Sequence, residues 1–323
     1  MNDWLLKLKG YNHHPEYFFW CAVVLAFALF LQTGEVPTQD PKPLIAGVAS
    51  SKKDGKVDPF APLQMEAKSV AVYDVRGKKF LFEYEADIPR PIASITKIIT
   101  AITALSLVPD ATLITITPEA LKQEGSAGLH EGEVWPLKDL LRLMLVQSSN
   151  DAAYAVSSSV GSAGVSVENL EFGRGFFIAH MNDQARKIGL TSTYFLNESG
   201  LDLTTTSPGG VSTARETAYL LAYAIKSHPS IFESTRLSEL TLQDANGLSR
   251  VATNTNKDTE KVPLITASKT GYTDLAGGNL IIAFEAGFDY PIIISVLGST
   301  LAGRFTDAEK LVWATLEYLS HNP

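Results

Sequence analysis

Ser94-Ile95-Thr96-Lys97 opens a stretch in which Ile95, Ile98, Ile99, Ile102 and Leu105 recur at helix spacing. Pro89 and Pro91 stand just upstream, where proline suits a helix entrance. The spacing predicts a buried helix with Ser94 at its start. Residues i and i+3 share a helix face, so the Ser94 hydroxyl and the Lys97 amine can meet. A lysine desolvated by an apolar helix face loses its proton readily and can serve a neighbouring serine as a base. The same four residues also read as an N-cap serine followed by a solvated first-turn lysine. Nothing inside the stretch separates the two readings.

Composition narrows the class. The 323 residues are 45% hydrophobic and 19% charged, which suits a globular enzyme with a substantial core. A formal charge of −8 without a basic stripe argues against nucleic acid as a partner. Cys21 is the one cysteine and lies in an apolar run, so neither an internal disulfide framework nor a cysteine-rich metal site is expected.

That apolar run, Tyr17–Leu31, follows a short N-terminal segment (residues 1–16) carrying Lys7 and Lys9. Its length of about 15 residues is short of the ~20 of a full span and matches a signal-peptide core. No small-residue cleavage site follows it, and Phe18-Phe19-Trp20 before Cys21 are too bulky for a lipoprotein box. We expect an uncleaved signal-anchor over residues 17–31, with a cleaved and secreted form as the alternative. Lysines before the run and Glu35 and Asp40 after it put the N-terminus in the cytoplasm and the body of the protein on the outer side of the cell membrane. Residues 32–62, with five prolines and little periodicity, read as a flexible tether.

The folded domain is expected over residues 63–323. Ser69–Asp74 and Lys79–Glu85, separated by Arg76-Gly77-Lys78, form a hairpin pattern. Leu264–Ser268, Asn279–Ala286 and Pro291–Gly298 read as strands near the other end, followed by a closing helix over Asp307–Leu319. Between them Leu137–Val146, Asp151–Val160, Phe172–Ile188 and Thr213–Ser227 read as helices. The economical arrangement is an α/β fold, an α+β sandwich with one mainly antiparallel sheet built from both chain ends, flanked by helices and interrupted by a helical insert at about 110–245.

Two further stretches carry polar chemistry. Ser148-Ser149-Asn150 falls between two helices, where it reads either as a helix N-cap or as a loop presenting a hydroxyl and an amide. Lys269-Thr270-Gly271 follows the strand Leu264–Ser268; a lysine and a threonine there can bind a carboxylate, and Gly271 leaves room for a substrate backbone on a strand edge. S-x-x-K, then S-x-N, then K-T-G is the ordered triple of the serine penicillin-recognising enzymes. The flanks add to the likeness: Gly132, Met181-Asn182, Asn197-Glu198-Ser199-Gly200-Leu201-Asp202, Asn254-Thr255-Asn256 and Tyr272-Thr273. Over roughly residues 70–319 the chain resembles the low-molecular-mass D-alanyl-D-alanine carboxypeptidases, within the β-lactamase/transpeptidase-like fold.

The resemblance implies a mechanism. Ser94 would attack the terminal D-Ala-D-Ala peptide bond of a peptidoglycan stem peptide, with Lys97 as base and Ser148 passing a proton to the leaving amine. Asn150 would bond the substrate amide, Lys269 and Thr270 would steer the terminal carboxylate, and Gly271 and Tyr272 would border the substrate. The backbone N–H groups of Ser94 and Tyr272 would form the oxyanion hole. Arg304, in a turn before the last helix, matches a family arginine that assists at the carboxylate and reads equally as a surface arginine. β-Lactam antibiotics would be covalent inhibitors, and neither cofactor nor metal is implied. Lys97 is expected to work in its neutral state because Ser148 and Lys269 crowd it.

Some features depart from the pattern. Family members often carry a C-terminal β-domain and an amphipathic anchor; here the sequence given closes at Pro323, and the N-terminal segment is expected to do the anchoring. Ala127-Gly128-Leu129-His130-Glu131 replaces the usual small and aliphatic residues before Gly132. Two rivals remain: a class A-like β-lactamase, whose E-x-x-L-N pattern Glu168-Asn169-Leu170 and Glu171 do not reproduce, and a non-catalytic cell-wall binding protein on the same fold.

Overall fold

The computed structural model describes residues 58–125, 127–165 and 169–322. The expected cytoplasmic segment, signal-anchor and most of the tether lie outside the described residues. The larger elements, in chain order, are β1 (Ser69–Asp74), β2 (Lys79–Tyr84), α1 (Lys97–Leu107), α2 (Leu137–Val146), α3 (Asn150–Val165), α4 (Leu170–Ile188), α5 (Ala214–Ser227), β3 (Ile265–Thr273), β4 (Gly277–Glu285), β5 (Pro291–Ser299) and α6 (Gly303–His321).

The five strands form one sheet in the order β3-β4-β5-β1-β2. Every neighbouring pair is antiparallel, and the two ends of the domain meet where β1 lies against β5, with Val70 opposite Val296 and Val72 opposite Ile294. Side chains alternate across a strand, so each strand feeds two cores. Val70, Val72, Ile282, Phe284, Ile292 and Ile294 face α6 and meet Leu311 and Val312. Ala71, Tyr73, Ile281, Ala283, Ile293 and Leu297 face the larger helical side. Burial on both faces explains why β1 and β5 read as continuous apolar runs rather than alternating ones.

α1 is buried from Lys97 through Ala104, and a helix that is apolar all round belongs inside. It packs against α3, α4 and α5. α5 lies within the stretch expected as an insert, yet it covers the sheet: the Tyr219 ring meets Tyr73 edge-on at 4.9 Å, and the Thr217 and Ser295 hydroxyls are 2.7 Å apart. A two-stranded hairpin, Glu239–Gln243 with Ser249–Thr253, follows it.

The folded region starts earlier than Leu63. Phe60 is buried and stacks on Phe82 with ring centroids 4.9 Å apart, so the last residues of the expected tether are part of the far core. β3 does not stop at Ser268 but runs on through Lys269-Thr270-Gly271 to Thr273, as the edge strand of the sheet. α6 begins at Gly303, which moves Arg304 from a preceding turn into the first turn of the helix. Among the described residues no helix is long and apolar enough to cross a membrane.

Candidate active site

Ser94 sits in a single 3₁₀ turn, Ala93–Thr96, and the α-helix proper starts at Lys97. Ala93 takes a left-handed φ of 47°, a strained conformation for an alanine, which breaks the approach of the chain just before the serine. Ser94 is half-buried, while Lys97 is wholly buried. Lys97 Nζ lies 2.9 Å from Ser94 Oγ, 2.6 Å from Asn150 Oδ1 and 2.8 Å from the Ser199 carbonyl. All three partners are neutral oxygens. Burial is the largest influence on the amine and brings its pKa down to about 7; Glu198 and then Asp151 act in the opposite sense. A neutral amine has two N–H donors and one lone pair. Asn150 Oδ1 and the Ser199 carbonyl can only accept, so they take both hydrogens and leave the lone pair for the Ser94 O–H.

The Ser148-Ser149-Asn150 segment divides its tasks. Ser149 is the cap: its Oγ accepts from the Ala152 N–H at 2.9 Å, and it donates to the Asp151 carboxylate. Ser148, at a left-handed φ of 60°, is thereby turned out of the helix end. Lys269 Nζ donates to Ser148 Oγ and to the Thr270 carbonyl, each at 2.8 Å. Ser148 therefore pairs with Lys269, and it is burial rather than crowding by these two that neutralises Lys97. Asn150 links the base to the loop before it. Its Oδ1 is held by Lys97 and its Nδ2 donates to the Glu124 carbonyl at 2.5 Å, so its amide orients the base.

Lys269 is 2% exposed, and its pKa lies well below the usual lysine range, through burial first and then the charges of Lys97 and Arg304. The adjoining Thr270 hydroxyl lies 2.5 Å from that of Thr255. The Ser268 N–H donates to Thr235 Oγ1, on the side of β3 away from β4. Alternation along the strand then turns the Thr270 and Tyr272 N–H groups to that same open edge. Gly271 lies tight under the Ser94 turn: a Cβ there would stand 2.8 Å from the Ile92 carbonyl and 3.1 Å from the Ser94 nitrogen. The Ser94 and Tyr272 amides thus border one groove. Arg304 is 7% exposed, not a surface arginine, and donates to the Gly271 carbonyl at 2.8 Å.

Three sets of residues support this groove without having been assigned a role from sequence. Asn197 Oδ1 accepts from the N–H groups of Ser199 and Gly200, and its Nδ2 donates to Leu201 O, which fixes the carbonyl that holds Lys97. Asn followed three residues later by Gly is a turn signal that was readable. Gly200 has a φ of 82° and packs where a Cβ would be 1.9 Å from the Ala93 carbonyl. Asp202 accepts from Thr273 Oγ1 at 3.0 Å and steadies the end of β3. At the rim, Arg250 of the 239–253 hairpin binds Glu133 at 2.6 Å and the Gly128 carbonyl at 2.6 Å, clamping the atypical loop before Gly132. Such a long-range pair leaves no local pattern. Of the carboxylates considered for a β-lactamase, Glu168 lies outside the described residues. Glu171 is on the surface, bonded by Tyr154 and 3.7 Å from Arg174.

A cavity of about 320 Å³ lies at the opposite end of the sheet, lined by Val75, Ile225, Thr266 and Pro291 among others, and includes none of these residues. β3 is the edge strand of the sheet, the kind of edge to which an extended peptide can add.

The family model described as D-alanyl-D-alanine carboxypeptidase matches residues 56–300. The D-alanyl-D-alanine carboxypeptidase DacA of Escherichia coli (strain K12) is 27% identical over 274 residues, covering 80% of this chain and 63% of that protein. A D-alanyl-D-alanine endopeptidase of Haemophilus influenzae is 32% identical over 221 residues, 67% of this chain and 69% of that one. The chain thus spans under two thirds of the length of DacA. Penicillin-Binding Protein D2 from Listeria monocytogenes, solved in the ampicillin-bound form, superposes with a TM-score of 0.65 at 29% identity, covering 78% of this chain and 98% of that one. The matched span includes every motif that converges on Ser94, and the chain belongs to the D-alanyl-D-alanine carboxypeptidase family.

Proposed function

We propose that the chain is a serine-type D-Ala-D-Ala carboxypeptidase that shortens peptidoglycan stem peptides by one residue. The observation that carries this is the set of partners around Lys97, which leaves one lone pair of a buried amine toward a half-buried serine hydroxyl. Lys97 takes the Ser94 proton as Oγ attacks the carbonyl carbon of the terminal peptide bond. The oxyanion is met by the amides of Ser94 and Tyr272. Lys269, Thr270 and Arg304 supply donors for the terminal carboxylate, and the Arg304 guanidinium supplies positive charge. Ser148 hands its proton to the nitrogen as the C–N bond breaks and D-alanine leaves, and the proton that Lys97 took from Ser94 restores the Ser148 hydroxyl. Water then attacks the ester while Lys97 takes one of its protons and returns it to Ser94 Oγ as the acyl C–O bond breaks; the other proton stays with the carboxyl of the shortened peptide.

β-Lactams acylate the same serine in this reading, and the acyl group leaves slowly, because the pairing of Glu171 with Tyr154 and Arg174 favours no water-activating role for it. Residues 17–31 anchor the enzyme, with the catalytic domain on the outer side of the membrane. The endopeptidase relative favours a second reading, in which the bond cut lies in a D-alanine cross-link between stems. Incubation with a D-Ala-D-Ala-ended peptide is expected to release D-alanine, and fluorescent penicillin to label Ser94 persistently. Rapid penicillin turnover would argue for a β-lactamase; neither release nor labelling would leave a binding protein. Mass spectrometry of digested cross-linked peptidoglycan separates carboxypeptidase from endopeptidase.

A further inference from the structure

The turn beneath Lys97 holds a charge that hydrogen bonding does not require. Ser199 O accepts from Lys97 Nζ at 2.8 Å, and Glu198 O accepts from Thr100 Oγ1, one turn along α1, at 2.7 Å. Both are main-chain carbonyls that any residue would supply. The Glu198 side chain nevertheless is a buried carboxylate, 1% exposed, and its Oε2 accepts from Arg174 Nε of α4 at 3.0 Å. Arg174 lies over the Tyr154 ring at 5.5 Å and 3.7 Å from Glu171, so it is fixed in place from α3 and α4. Burying an ion pair is a poor route to stability compared with apolar side chains of like volume. A carboxylate kept at this depth in the turn that holds the base, with Arg174 only partly buried, calls for a use of its charge.

We infer that Glu198, with Arg174 as counter-ion, is a positioning residue that sets how readily Lys97 gives up and takes a proton. This rests on the proposed role of Lys97 as the base. Burial lowers the pKa of the amine, and Glu198 is the largest charge opposing that, ahead of Asp151 on α3. Arg174 limits that opposition. The other charged groups around Lys97 are committed elsewhere. Lys269 of β3 is bonded to Ser148, and Arg304 of α6 to Gly271. Glu216 of α5 accepts from the 191–193 segment, and Asp139 and Arg142 of α2 pair with each other. α1 carries no other charged residue.

The test is the pH dependence of Ser94 acylation by fluorescent penicillin in the full chain, together with an NMR titration of isotope-labelled lysine, the Lys97 signal being assigned by its absence from Lys97→Arg. Glu198→Gln is expected to move the acid limb and the Lys97 midpoint down by about one pH unit, with the plateau rate within about threefold. Arg174→Gln is expected to move both up by about half a unit. A merely structural pair lowers the plateau and leaves the midpoint in place; that result, or movement of both variants in one direction, overturns the inference. Should Glu198→Gln fail to fold, Arg174→Gln, altered at a partly exposed position, decides alone. Should the wild type show neither labelling nor D-alanine release, the carboxypeptidase reading falls, while the Lys97 midpoints still decide the coupling to Glu198.

Discussion

Asp307 on one face of the sheet and two lysines on the other bury charge in opposite ways. On the α6 side, Asp307 is 1% exposed and its carboxylate accepts from the N–H groups of Glu66 and Ala67 and from the Ser299 hydroxyl, in the midst of an apolar core. Its donors tie the start of the domain to its last helix, and the charge is satisfied by the fold. On the opposite side Lys97 and Lys269 rest on carbonyl, amide and hydroxyl oxygens, and burial drives both toward their neutral forms. One face uses a charged group to hold structure together. The other holds amines in an environment that destabilises their charge, which favours stability nowhere and suits proton transfer.

That contrast breaks first at Lys97. A guanidinium stays protonated at any working pH. Lys97→Arg is therefore expected to slow penicillin acylation by about 10³-fold per folded molecule, the scale of general-base catalysis, and to lower the thermal midpoint, because it buries a charge that cannot be shed. Normal acylation in that variant would mean that another group is the base. The far face responds in the reverse sense. Ile282 is fully buried against α6, and Ile282→Ala is expected to cost about 3 kcal/mol in denaturant unfolding through lost burial and an unfilled cavity. The acylation rate per folded molecule should stay within about twofold, since Lys97 and Ser94 lie on the other side of the sheet. A large fall in that rate would show that the two faces are not separable.

Much of this division was legible in the residues themselves. The strands announced themselves as apolar runs because both faces of the sheet are covered, and the three motifs were found because S-x-x-K, S-x-N and K-T-G occur in that order. Three things were not legible, each for a physical reason. The bond of Asn150 to Lys97 was not read because the two are 53 residues apart, and pairwise geometry of that kind leaves no periodicity. The extent of β3 was cut short because Lys269-Thr270-Gly271 has no apolar alternation, although it is edge-strand backbone throughout. Glu198 read as one letter of a motif, since burial of a single carboxylate depends on what α4 brings across from Arg174.

The smallest effect tests the contrast most directly, because it asks whether the buried amines cost stability. Lys269→Met keeps the length of the side chain and removes the charge. It also removes the donors to Ser148 Oγ and Thr270 O, at about 1 kcal/mol each. Against that stands the penalty for a lysine whose folded pKa is lowered. Such a group binds its proton more readily unfolded, so wild-type stability is fullest above the unfolded value near 10.5 and is lost as pH falls toward the folded value. The methionine variant escapes that loss. It should be about 1 kcal/mol more stable than wild type at neutral pH, where a buried charge is worth less than an apolar replacement. Above the unfolded lysine value only the missing hydrogen bonds remain, and the variant should be the less stable of the two. Denaturant unfolding of both proteins across that range reads the crossing. A variant less stable at every pH would mean that Lys269 is held as comfortably as Asp307, and that the two faces bury charge alike.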